Sequence, residues 1–574
     1  MEQFLKRMTH TPVSTMSINE RFFSLNVQDE LSIEDSKLLD TLELDIRDSF
    51  NTFISDLCEQ NNLHSLALLL SNTVRNTYVS KSYNLFSRLI LLEKKIRLGK
   101  LPTKIYVPSK EVKRIVIQIV KDNDASIVVK KNEKSLFIKV LKNIIVSIYF
   151  QLLYFILSRI LKMKVIPKKP IVFLDTFIFK DSFSNGGPFK DRYYTGYEGY
   201  LSENEKKSIW YSPTIIDIKN PLDLFKTWKG QKNSKANFLC EESLLSLFDY
   251  LKSFIISTNL YKNVSIIPQF KNYDVTSYLF LELKKEICSP GLVKAINKYF
   301  YIRNLSKYTE ISKVINWHEN QDIDRAINLS FKMHFPELKV YGYQGYVSPR
   351  SDLHKTPIAF EFDKATLPDV IGVLSNSDML YKKKLCPKQA YEIAPALRFS
   401  YLHEINKSLS FQDTKNIFVP LPADINDAKR LIKFSCKVIP EVSNDYKFLI
   451  KLHPKYTLKD LMHFIPELRN PSFSITKKSV GNCLNDSFIV FSSASSACVE
   501  AFSIGIPVGI LSNSFGLTMN PIWTEGKGYV SIIYSTKDLK KLLEQDFSLN
   551  YPNTKPDKFF HRVDKEEVRE IFTS

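Results

Sequence analysis

The chain has 574 residues, of which 44% are hydrophobic and 25% are charged. This length and apolar fraction exclude a disordered or fibrous chain and indicate several globular domains. The 80 lysines and arginines exceed the 61 aspartates and glutamates by 19, which favours partners that carry negative charge: nucleic acid, an anionic membrane surface or phosphorylated ligands.

The seven cysteines are scattered and form no C-x-x-C pair, which predicts neither a disulfide framework nor a structural zinc site and fits a reducing compartment. The first 23 residues lack the apolar run of a secretory signal, so we expect a cytoplasmic protein. The sequence has no P-loop, no H-E-x-x-H and no G-x-S-x-G. No pattern of a nucleic-acid-binding fold accompanies the positive charge, which argues against a nucleic-acid partner.

Residues 1–100 are predicted to form a helical N-terminal region, because apolar residues recur there at helical spacing. The period changes at the start of the next region, 101–405, which we interpret as an α/β domain. There the strand 105–107, a helix over 110–120 capped by Ser109, and the strand 126–129 form a βαβ unit.

An apolar segment, 135–169, interrupts this domain. Its uncharged run, 143–158, has lysines and arginines on both sides. Sixteen helical residues span about 24 Å, less than the roughly 30 Å of a bilayer core. If the strands on either side belong to one sheet, a membrane crossing would also place its halves in different compartments. We therefore expect a helix lying in the interface of an anionic leaflet, on the inner face of the membrane, with an ordinary buried helix as the alternative.

The α/β pattern resumes with the strand 171–174, which ends at Asp175. A second α/β series follows a connector and predicts another domain over 406–545, and residues 546–574 are predicted as a tail helix. The fold class expected is α/β, with two Rossmann-like domains facing a cleft. The further elements predicted in chain order are the strand 314–317, the helix 321–334, the strand 339–341, the strand 417–419, the helix 425–438, the strands 447–452 and 488–491, the helix 495–503 and the strand 508–511.

The second domain carries a pattern typical of a phosphate site. The strand over 488–491 leads into serines, and free N–H groups at the N-terminus of the following helix attract anions. Glu500 lies one turn beyond Ser496, where its carboxylate can accept hydrogen bonds from a ribose. Upstream, His453-Pro454 ends a strand at the same sheet edge, where the imidazole can donate to a phosphate oxygen or protonate a leaving phosphate. The predicted phosphate-binding residues are His453, Pro454, Ser492, Ser493, Ser495 and Ser496.

The first domain offers the candidate catalytic carboxylates. Glu319 follows the strand 314–317 and is predicted as general base, or as nucleophile if the mechanism is a double displacement. Asp175 is the second candidate, because it is expected at a strand end beside the loop that contains Arg192. Arg325 can pair with Glu319, with Asp324 or with the carboxylate of an acidic sugar. The predicted substrate-binding residues are Arg325, Gln344 and Arg192.

Metal dependence is not expected. The pair Asp122 and Asp124 lies in a predicted turn, where aspartate is common. Asp322 and Asp324 lie about 200° apart on a predicted helix and cannot share an ion. Both Asp-x-Asp matches are therefore interpreted as accidental.

The combination of a strand-end His-Pro with a later Ser-Ser, Glu-Ala and Gly-x-Pro resembles the donor half of GT-B glycosyltransferases that use CMP-linked acidic sugars. These include capsule Kdo transferases, bacterial sialyltransferases and proteins labelled surface carbohydrate biosynthesis. The resemblance covers roughly 416–511. In the first domain, W-x-E-N-Q followed by G-Y-Q-G is similar to the last of these groups.

The resemblance implies that His453 with Ser492 and Ser493 holds the nucleotide phosphate, and that Glu500 holds the ribose. It implies a metal-independent transfer of a Kdo-like or nonulosonic sugar from a CMP-sugar donor to a lipid-linked or growing capsule or O-antigen glycan. The alternative in the same superfamily is a CDP-glycerol-type polyol-phosphate transferase, for which His318 is a candidate acceptor-side histidine. Two further alternatives are a nucleic-acid-binding protein and a non-catalytic GT-B partner subunit.

Overall fold

The computed structural model describes residues 22–121, 125–130, 135–161, 164–183, 189–216, 218, 220–405, 415–443, 445–522, 529–545, 547 and 554–573. Within these residues the strands form sheets of three, seven and six strands, and strand pairing within each sheet is parallel. The pair Asp122 and Asp124 lies outside the described residues.

The N-terminal region is helical, as predicted, but it also contributes a strand that the sequence did not predict. This strand, β1 (Phe22–Ser24), pairs with β2 (Lys104–Val107), which in turn pairs with β3 (Ser126–Val129). Ser109 caps the helix between β2 and β3, as predicted, by accepting a hydrogen bond from the N–H of Val112. The helices of this region are α1 (Ile33–Thr41), α2 (Glu43–Gln60), α3 (Ser71–Val74), α4 (Lys81–Arg97) and α5 (Lys110–Val120).

The apolar segment forms one long helix, α6 (Leu136–Ile160). Its 25 residues correspond to about 37 Å, so the helix as a whole is long enough to cross a bilayer, which corrects the length argument made from the uncharged run alone. Only 11% of its most apolar stretch is buried, so α6 is not a core helix.

The strands before and after α6 lie in different sheets, contrary to the expectation of one sheet. Both sides nevertheless share one hydrophobic core, in which Val107 and Val112 cluster with Phe173 and Val314. The chain therefore enters and leaves α6 on the same globular body.

The seven-stranded sheet has the order β10-β9-β8-β7-β4-β5-β6. Numbered from its first strand, this is 3-2-1-4-5-6-7 read from the β6 edge, the strand order of a Rossmann-like sheet. Its strands are β4 (Ile171–Ile178), β5 (Ile209–Ile215), β6 (Asn237–Phe238), β7 (Ile311–Trp317), β8 (Val340–Tyr343), β9 (Val370–Val373) and β10 (Ala390–Ile393). Its helices are α7 (Glu203–Ser208), α8 (Pro221–Asn233), α9 (Glu241–Leu244), α10 (Leu247–Asn259), α11 (Thr276–Lys284), α12 (Pro290–Leu305), α13 (Asp322–His334), α14 (Ala359–Asp363) and α15 (Asn376–Leu385).

The six-stranded sheet has the order β13-β12-β11-β14-β15-β16, again 3-2-1-4-5-6 from its first strand. The expected α/β fold class with two Rossmann-like sheets is thus confirmed. The strands are β11 (Asn416–Pro420), β12 (Lys447–Lys451), β13 (Phe473–Thr476), β14 (Ile489–Ser492), β15 (Val508–Leu511) and β16 (Val530–Ile533). The helices are α16 (Ile425–Val438), α17 (Leu458–Phe464), α18 (Val480–Asn485), α19 (Ser496–Ser503) and α20 (Thr536–Leu543).

The last helix, α21 (Lys565–Phe572), returns to the first Rossmann-like sheet. Its Phe572 stacks on Tyr197 with ring centroids 4.4 Å apart, and Arg569 pairs with Glu205 at 2.8 Å. The tail therefore ties the end of the chain to the domain that the chain left some 150 residues earlier, near 415.

Candidate active site

Ligands of Rossmann-like sheets bind outside the carboxyl ends of the strands, where the strand order reverses. In the first sheet this point lies between β4 and β7, and in the second between β11 and β14. Glu319 follows β7, Ser493 follows β14, and His453 follows β12, the neighbour of β11. The candidate residues of each domain therefore stand at the sheet edge where a ligand is expected.

A cavity of about 720 Å³ opens at this edge of the second sheet, and we call it the His453 cavity. It joins the ends of two strands to the N-terminal ends of α18 and α19, and it brings together five of the seven predicted phosphate and ribose residues. The predicted residues that line it are His453, Pro454, Ser495, Ser496 and Glu500. Arg398, Tyr401 and Asn482 are among the lining residues that the sequence did not predict.

His453 is half-buried, and its Nδ1 accepts the backbone N–H of Lys455 at 3.2 Å. The pKa of His453 is lowered to about 4, chiefly by burial and then by the positive charges of Lys455, Arg192 and Arg398. The ring is therefore neutral at pH 7. Since Nδ1 is the acceptor, the proton resides on Nε2, which makes Nε2–H a hydrogen-bond donor.

The serines fall into two pairs with different surroundings. Ser495 caps α19, its Oγ accepting the N–H of Ala497 at 3.3 Å, and Ser496 opens the helix at the cavity wall. Ser492 lies beneath the cavity, fully buried, with its Oγ donating to the carbonyl of Pro420 at 2.6 Å. Ser493 is also buried, and its Oγ has no hydrogen-bond partner among the described residues. Ser495, Ser496 and the N–H groups of α19 are thus the better placed of the predicted anion ligands.

Glu500 is buried and is held by two hydroxyl groups. Ser496 Oγ donates to its Oε1 at 3.0 Å, and Tyr401 Oη donates to its Oε2. Burial raises the pKa of Glu500, and these two hydrogen bonds oppose that rise. Each carboxylate oxygen keeps a second lone pair, so the group retains the capacity to accept a hydroxyl from a ligand.

Arg398 is the main residue of this site that the sequence analysis missed. It lies in the connector 382–416, outside any motif, and nothing in that stretch distinguishes it from other basic residues. Its guanidinium lies 5.9 Å from the ring centroid of Trp317 and 5.7 Å from that of Phe399, and it lines the His453 cavity. It forms no ion pair with any residue that the structure describes, and its side chain is exposed. A guanidinium that forms no ion pair with the described residues, on the same cavity as a neutral imidazole N–H, is suited to bind an anion.

Arg192, predicted as a substrate-binding residue, belongs to the first domain and is not among the residues that line the His453 cavity. It pairs with Asp181, and its guanidinium lies 5.1 Å from the ring centroid of Phe179. Its positive charge is one of the causes that lower the pKa of His453. The fold therefore brings Arg192 and His453 near each other across the cleft.

Glu319 lines a second cavity, of about 530 Å³, which we call the Glu319 cavity. Trp317 Nε1 donates to its Oε1 at 3.0 Å, and Gln321 Nε2 donates to its Oε2 at 2.7 Å. Its own N–H donates to Asp324 Oδ2. The carboxylate is therefore half-buried, fixed in orientation and open on one side, as a general base requires.

Asp175 does not stand at a strand end. The strand β4 continues to Ile178, so Asp175 lies inside the sheet, 1% exposed, and neither carboxylate oxygen has a hydrogen-bond partner among the described residues. Burial raises its pKa to about 7, against the positive charge of Lys298. The structure places it below the cleft rather than in it.

Arg325 and Gln344 are interior residues. Arg325 forms a buried ion pair with Glu361, and its guanidinium also donates to the carbonyls of Leu68 and Thr73, so the expected pairing with Glu319, Asp324 or a sugar is wrong. Gln344 has both ends of its amide engaged, by Lys382 Nζ at 2.6 Å and by the Lys355 carbonyl at 3.1 Å. Arg325 and Gln344 therefore connect segments of the chain within the folded interior.

His318 and the Asp322/Asp324 pair also have structural surroundings. His318 is fully buried, burial lowers its pKa to about 3, and neither ring nitrogen has a partner among the described residues. Because it is buried, His318 does not reach the cleft. Asp324 accepts hydrogen bonds from the N–H groups of Glu319 and Gln321 and so caps α13.

Comparison with known proteins gives similarity at the level of structure alone. No family model and no curated protein matches the chain. An S. aureus MnaA–UDP co-structure is 12% identical at a TM-score of 0.38, over 71% of this chain and 95% of that one. A UDP-GlcNAc 2-epimerase from Neisseria meningitidis bound to UDP-GlcNAc is 10% identical at 0.38, over 70% and 98%.

A mutant of S. aureus TarM in complex with Fondaparinux, alpha-GlcNAc-glycerol and UDP is 14% identical at a TM-score of 0.31, over 71% of this chain and 96% of that one. TM-scores of this size carry no argument about activity. The two sheets of this chain are identified as Rossmann-like from their own strand order.

Proposed function

We propose that the chain is a metal-independent GT-B glycosyltransferase that moves an acidic sugar, Kdo-like or nonulosonic, from a CMP-sugar donor to a capsule or O-antigen type glycan. The observation that carries the proposal is the convergence of His453, the N-terminus of α19 and Glu500 on one cavity at the switch point of the second sheet. His453 and α19 are some 40 residues apart in the sequence. At one cavity they provide hydrogen-bond donors for a phosphate, and Glu500 provides a hydrogen-bond acceptor for the hydroxyls of a ribose.

The charges around the cavity favour a donor with two anionic groups. The positive charges of Arg192 and Arg398 both contribute to the lowered pKa of His453, so both lie within electrostatic range of its imidazole. A CMP-linked acidic sugar carries a phosphate and a carboxylate. Two guanidinium groups therefore complement this donor better than they complement a nucleotide-linked neutral sugar.

The reaction is a displacement at the anomeric carbon. Glu319 takes the proton of the acceptor hydroxyl, the acceptor oxygen forms its bond to the anomeric carbon, and the bond from that carbon to the phosphate oxygen breaks with its electron pair going to CMP. His453 Nε2–H, the N–H groups of α19 and Arg398 stabilise the charge that develops on the departing phosphate. A double displacement with Glu319 as nucleophile uses the same residues and leaves retention of configuration as the stereochemical alternative.

Polyol-phosphate transfer from CDP-glycerol is less well supported. Its acceptor-side histidine was expected at His318, which is buried with a pKa of about 3. A transferase that uses this donor would therefore depend on Glu319 to activate the acceptor hydroxyl.

The acceptor is proposed to be lipid-linked and the protein peripheral on the inner face of the cytoplasmic membrane. Support comes from α6, which exposes a row of large apolar side chains, and from α10 beside it, which exposes a second row. The two rows are Ile145, Ile148, Leu152 and Ile156 on α6, which also exposes Phe137, Ile138, Leu141, Tyr149 and Ile160, and Leu247, Phe248, Leu251 and Ile255 on α10. A paired apolar surface with lysines and arginines at its ends fits an anionic bilayer interface. The core shared by residues on both sides of α6 argues against crossing.

Thermal-shift titration with CMP, CDP and UDP tests the donor. A ligand that binds the folded state raises its unfolding temperature, so CMP should give the largest rise. A larger rise with UDP would contradict the CMP-sugar proposal, and no rise with any nucleotide would contradict the transferase proposal itself.

A further inference from the structure

The Glu319 cavity lies against α6. One helical face of α6 forms part of its wall, with Ser147, Phe150, Gln151 and Tyr154 at i, i+3, i+4 and i+7 spacing. At about 100° per residue, the exposed apolar row of α6 lies on roughly the opposite face of the helix. The same helix thus faces the cavity on one side and solvent with an apolar surface on the other.

Specific hydrogen bonds attach α6 to the body of the domain at both ends. Asn143 Nδ2 donates to the carbonyl of Lys285 at 3.0 Å, and Ser147 Oγ donates to the carbonyl of Cys288 at 2.8 Å. At the other end Arg159 donates to the carbonyl of Leu245 at 2.7 Å. The wall that α6 gives the cavity is therefore a fixed part of the fold.

The lining contains unsatisfied polar groups. Four of its residues carry a buried side-chain atom without a hydrogen-bond partner among the described residues: Gln151 Nε2, Thr214 Oγ1, Tyr250 Oη and Asn297 Oδ1. Thr214, Tyr250 and Asn297 are at most 6% exposed. Buried polar atoms are normally paired, so a cluster of four around one cavity calls for a ligand that both donates and accepts hydrogen bonds.

Charge and size narrow the ligand class. The lining carries the carboxyl groups of Glu241, Glu242 and Glu319, of which Glu241 pairs with the buried Lys298 at 2.9 Å. Its one lysine, Lys294, donates from Nζ to the Ile215 carbonyl at 2.7 Å, so carboxyl groups remain in excess. An acidic wall disfavours a phosphate or a sugar carboxylate. Aromatic and aliphatic side chains make up the rest of the wall, and 530 Å³ lies within the roughly 300–1,000 Å³ usual for small-ligand sites. A neutral sugar, rich in hydroxyls and with apolar ring faces, has these properties.

We propose that the Glu319 cavity binds the neutral sugar of a glycolipid acceptor, with one sugar hydroxyl at Glu319 and the lipid remaining in the bilayer beside α6 and α10. This rests on the proposed function, and it assigns to that function an acceptor class and an acceptor site. The anionic group that links sugar to lipid stays outside the acidic cavity, where the basic ends of α6 meet the membrane surface.

The probe is n-octyl β-D-glucoside at concentrations below its micelle threshold, a neutral sugar on an apolar tail. Its comparison compound is an octyl oligoethylene glycol ether, which has the same tail without the sugar ring. Saturation-transfer NMR and calorimetry on the full chain should detect binding of the glucoside, with contact to the sugar protons. Equal binding of the two compounds would overturn the proposal.

The variants are Thr214→Val and Asn297→Leu, each nearly isosteric, with Thr41→Val and Asn259→Leu as matched controls at exposed positions. Each cavity variant should weaken glucoside binding about fivefold to tenfold, the usual effect of one lost hydrogen bond. Because the hydroxyl of Thr214 has no described partner, Thr214→Val should not lower the unfolding temperature. Unchanged glucoside affinity in both folded cavity variants would refute the site.

Nucleotide binding separates the two proposals. Both cavity variants should keep the wild-type thermal shift with CMP, since the His453 cavity is untouched. Glucoside binding without any nucleotide binding would overturn the proposed function and leave a sugar site. Nucleotide binding without glucoside binding would overturn only the acceptor site.

Discussion

Replacing His453 by alanine tests the central geometry of the donor site. The imidazole is neutral at pH 7, its pKa being lowered to about 4, and its Nδ1 is occupied by the Lys455 N–H. Only Nε2–H is available to a phosphate, so the substitution removes one hydrogen bond to a charged acceptor. Such a bond contributes about 1.5–3 kcal/mol, which corresponds to a rise of about 10- to 150-fold in the Kd for CMP.

The assay is isothermal calorimetry with CMP on the wild type, on His453→Ala and on His463→Ala, a control histidine exposed on α17 of the same domain. The ratio of the two Kd values cancels the ionisation of CMP itself. Because the neutral ring donates, this ratio should stay constant between pH 7 and pH 9. A ratio near one at pH 7 would show that the His453 cavity is not a phosphate site. A ratio that falls tenfold per pH unit would show that the imidazolium, not the neutral ring, binds.

Four further outcomes follow from the structure. Glu319→Gln should lower glycosyl transfer by about 10²- to 10⁴-fold, the usual contribution of a general base, and leave the Kd for CMP unchanged; transfer at the wild-type rate would remove Glu319 from the mechanism. Asp175, with a raised pKa of about 7, binds a proton in the folded state that the unfolded state lacks, so its contribution to stability is lost as pH rises through 7. Relative to the wild type, Asp175→Asn should remove a fall of the unfolding temperature between about pH 4 and pH 7 and leave the slope above pH 8 unchanged, and an unchanged slope between pH 4 and pH 7 would show that Asp175 does not titrate in this range. Arg325→Met should cost about 1–3 kcal/mol in denaturant unfolding, because it takes a donor from the buried carbonyls of Leu68 and Thr73 while Arg75 still pairs with Glu361 at 2.8 Å, and CMP binding at low temperature should persist. Phe248→Asp on α10 should reduce flotation with anionic liposomes without changing nucleotide binding, and undiminished flotation would exclude α10 from the membrane surface.

The second domain was the more predictable half. Its strands are continuous apolar runs, and its helices have capping residues and a clear 3.6-residue period, so helix 425–438 and strand 508–511 agree with the structure to the residue. His453 and Ser495 were predicted to share a sheet edge because the carboxyl ends of parallel strands meet there, and both line one cavity. Ser492 was not distinguishable from its neighbours by sequence, since only the approach of Pro420 decides that its hydroxyl points inward.

The first domain was predicted less well, and the errors share a cause. Asp175 lies within an apolar strand, His318 directly follows one and Arg325 lies on the helix after it, and sequence position alone suggested a cleft-facing role for each. All three are at most 1% exposed. A polar residue in a strand, at its end or on the next helix faces either the cleft or the packed interior, and which occurs depends on where the strand ends and which elements cover it. Arg398 is the converse case, a site residue with no local pattern at all.

The sequence by itself determined the α/β class, the two Rossmann-like series, the apolar helix with basic ends, and the His-Pro and serine motifs, because each is written in local periodicity, capping and strand-end chemistry. Only the tertiary structure decided that β2 and β3 belong to a separate sheet, that α6 forms the wall of a cavity, and that Arg192 and Arg398 approach His453. These outcomes depend on contacts between segments that lie far apart in the sequence, such as Arg192 and His453, and such contacts are selected by the packing of the whole core rather than by any local preference of the chain.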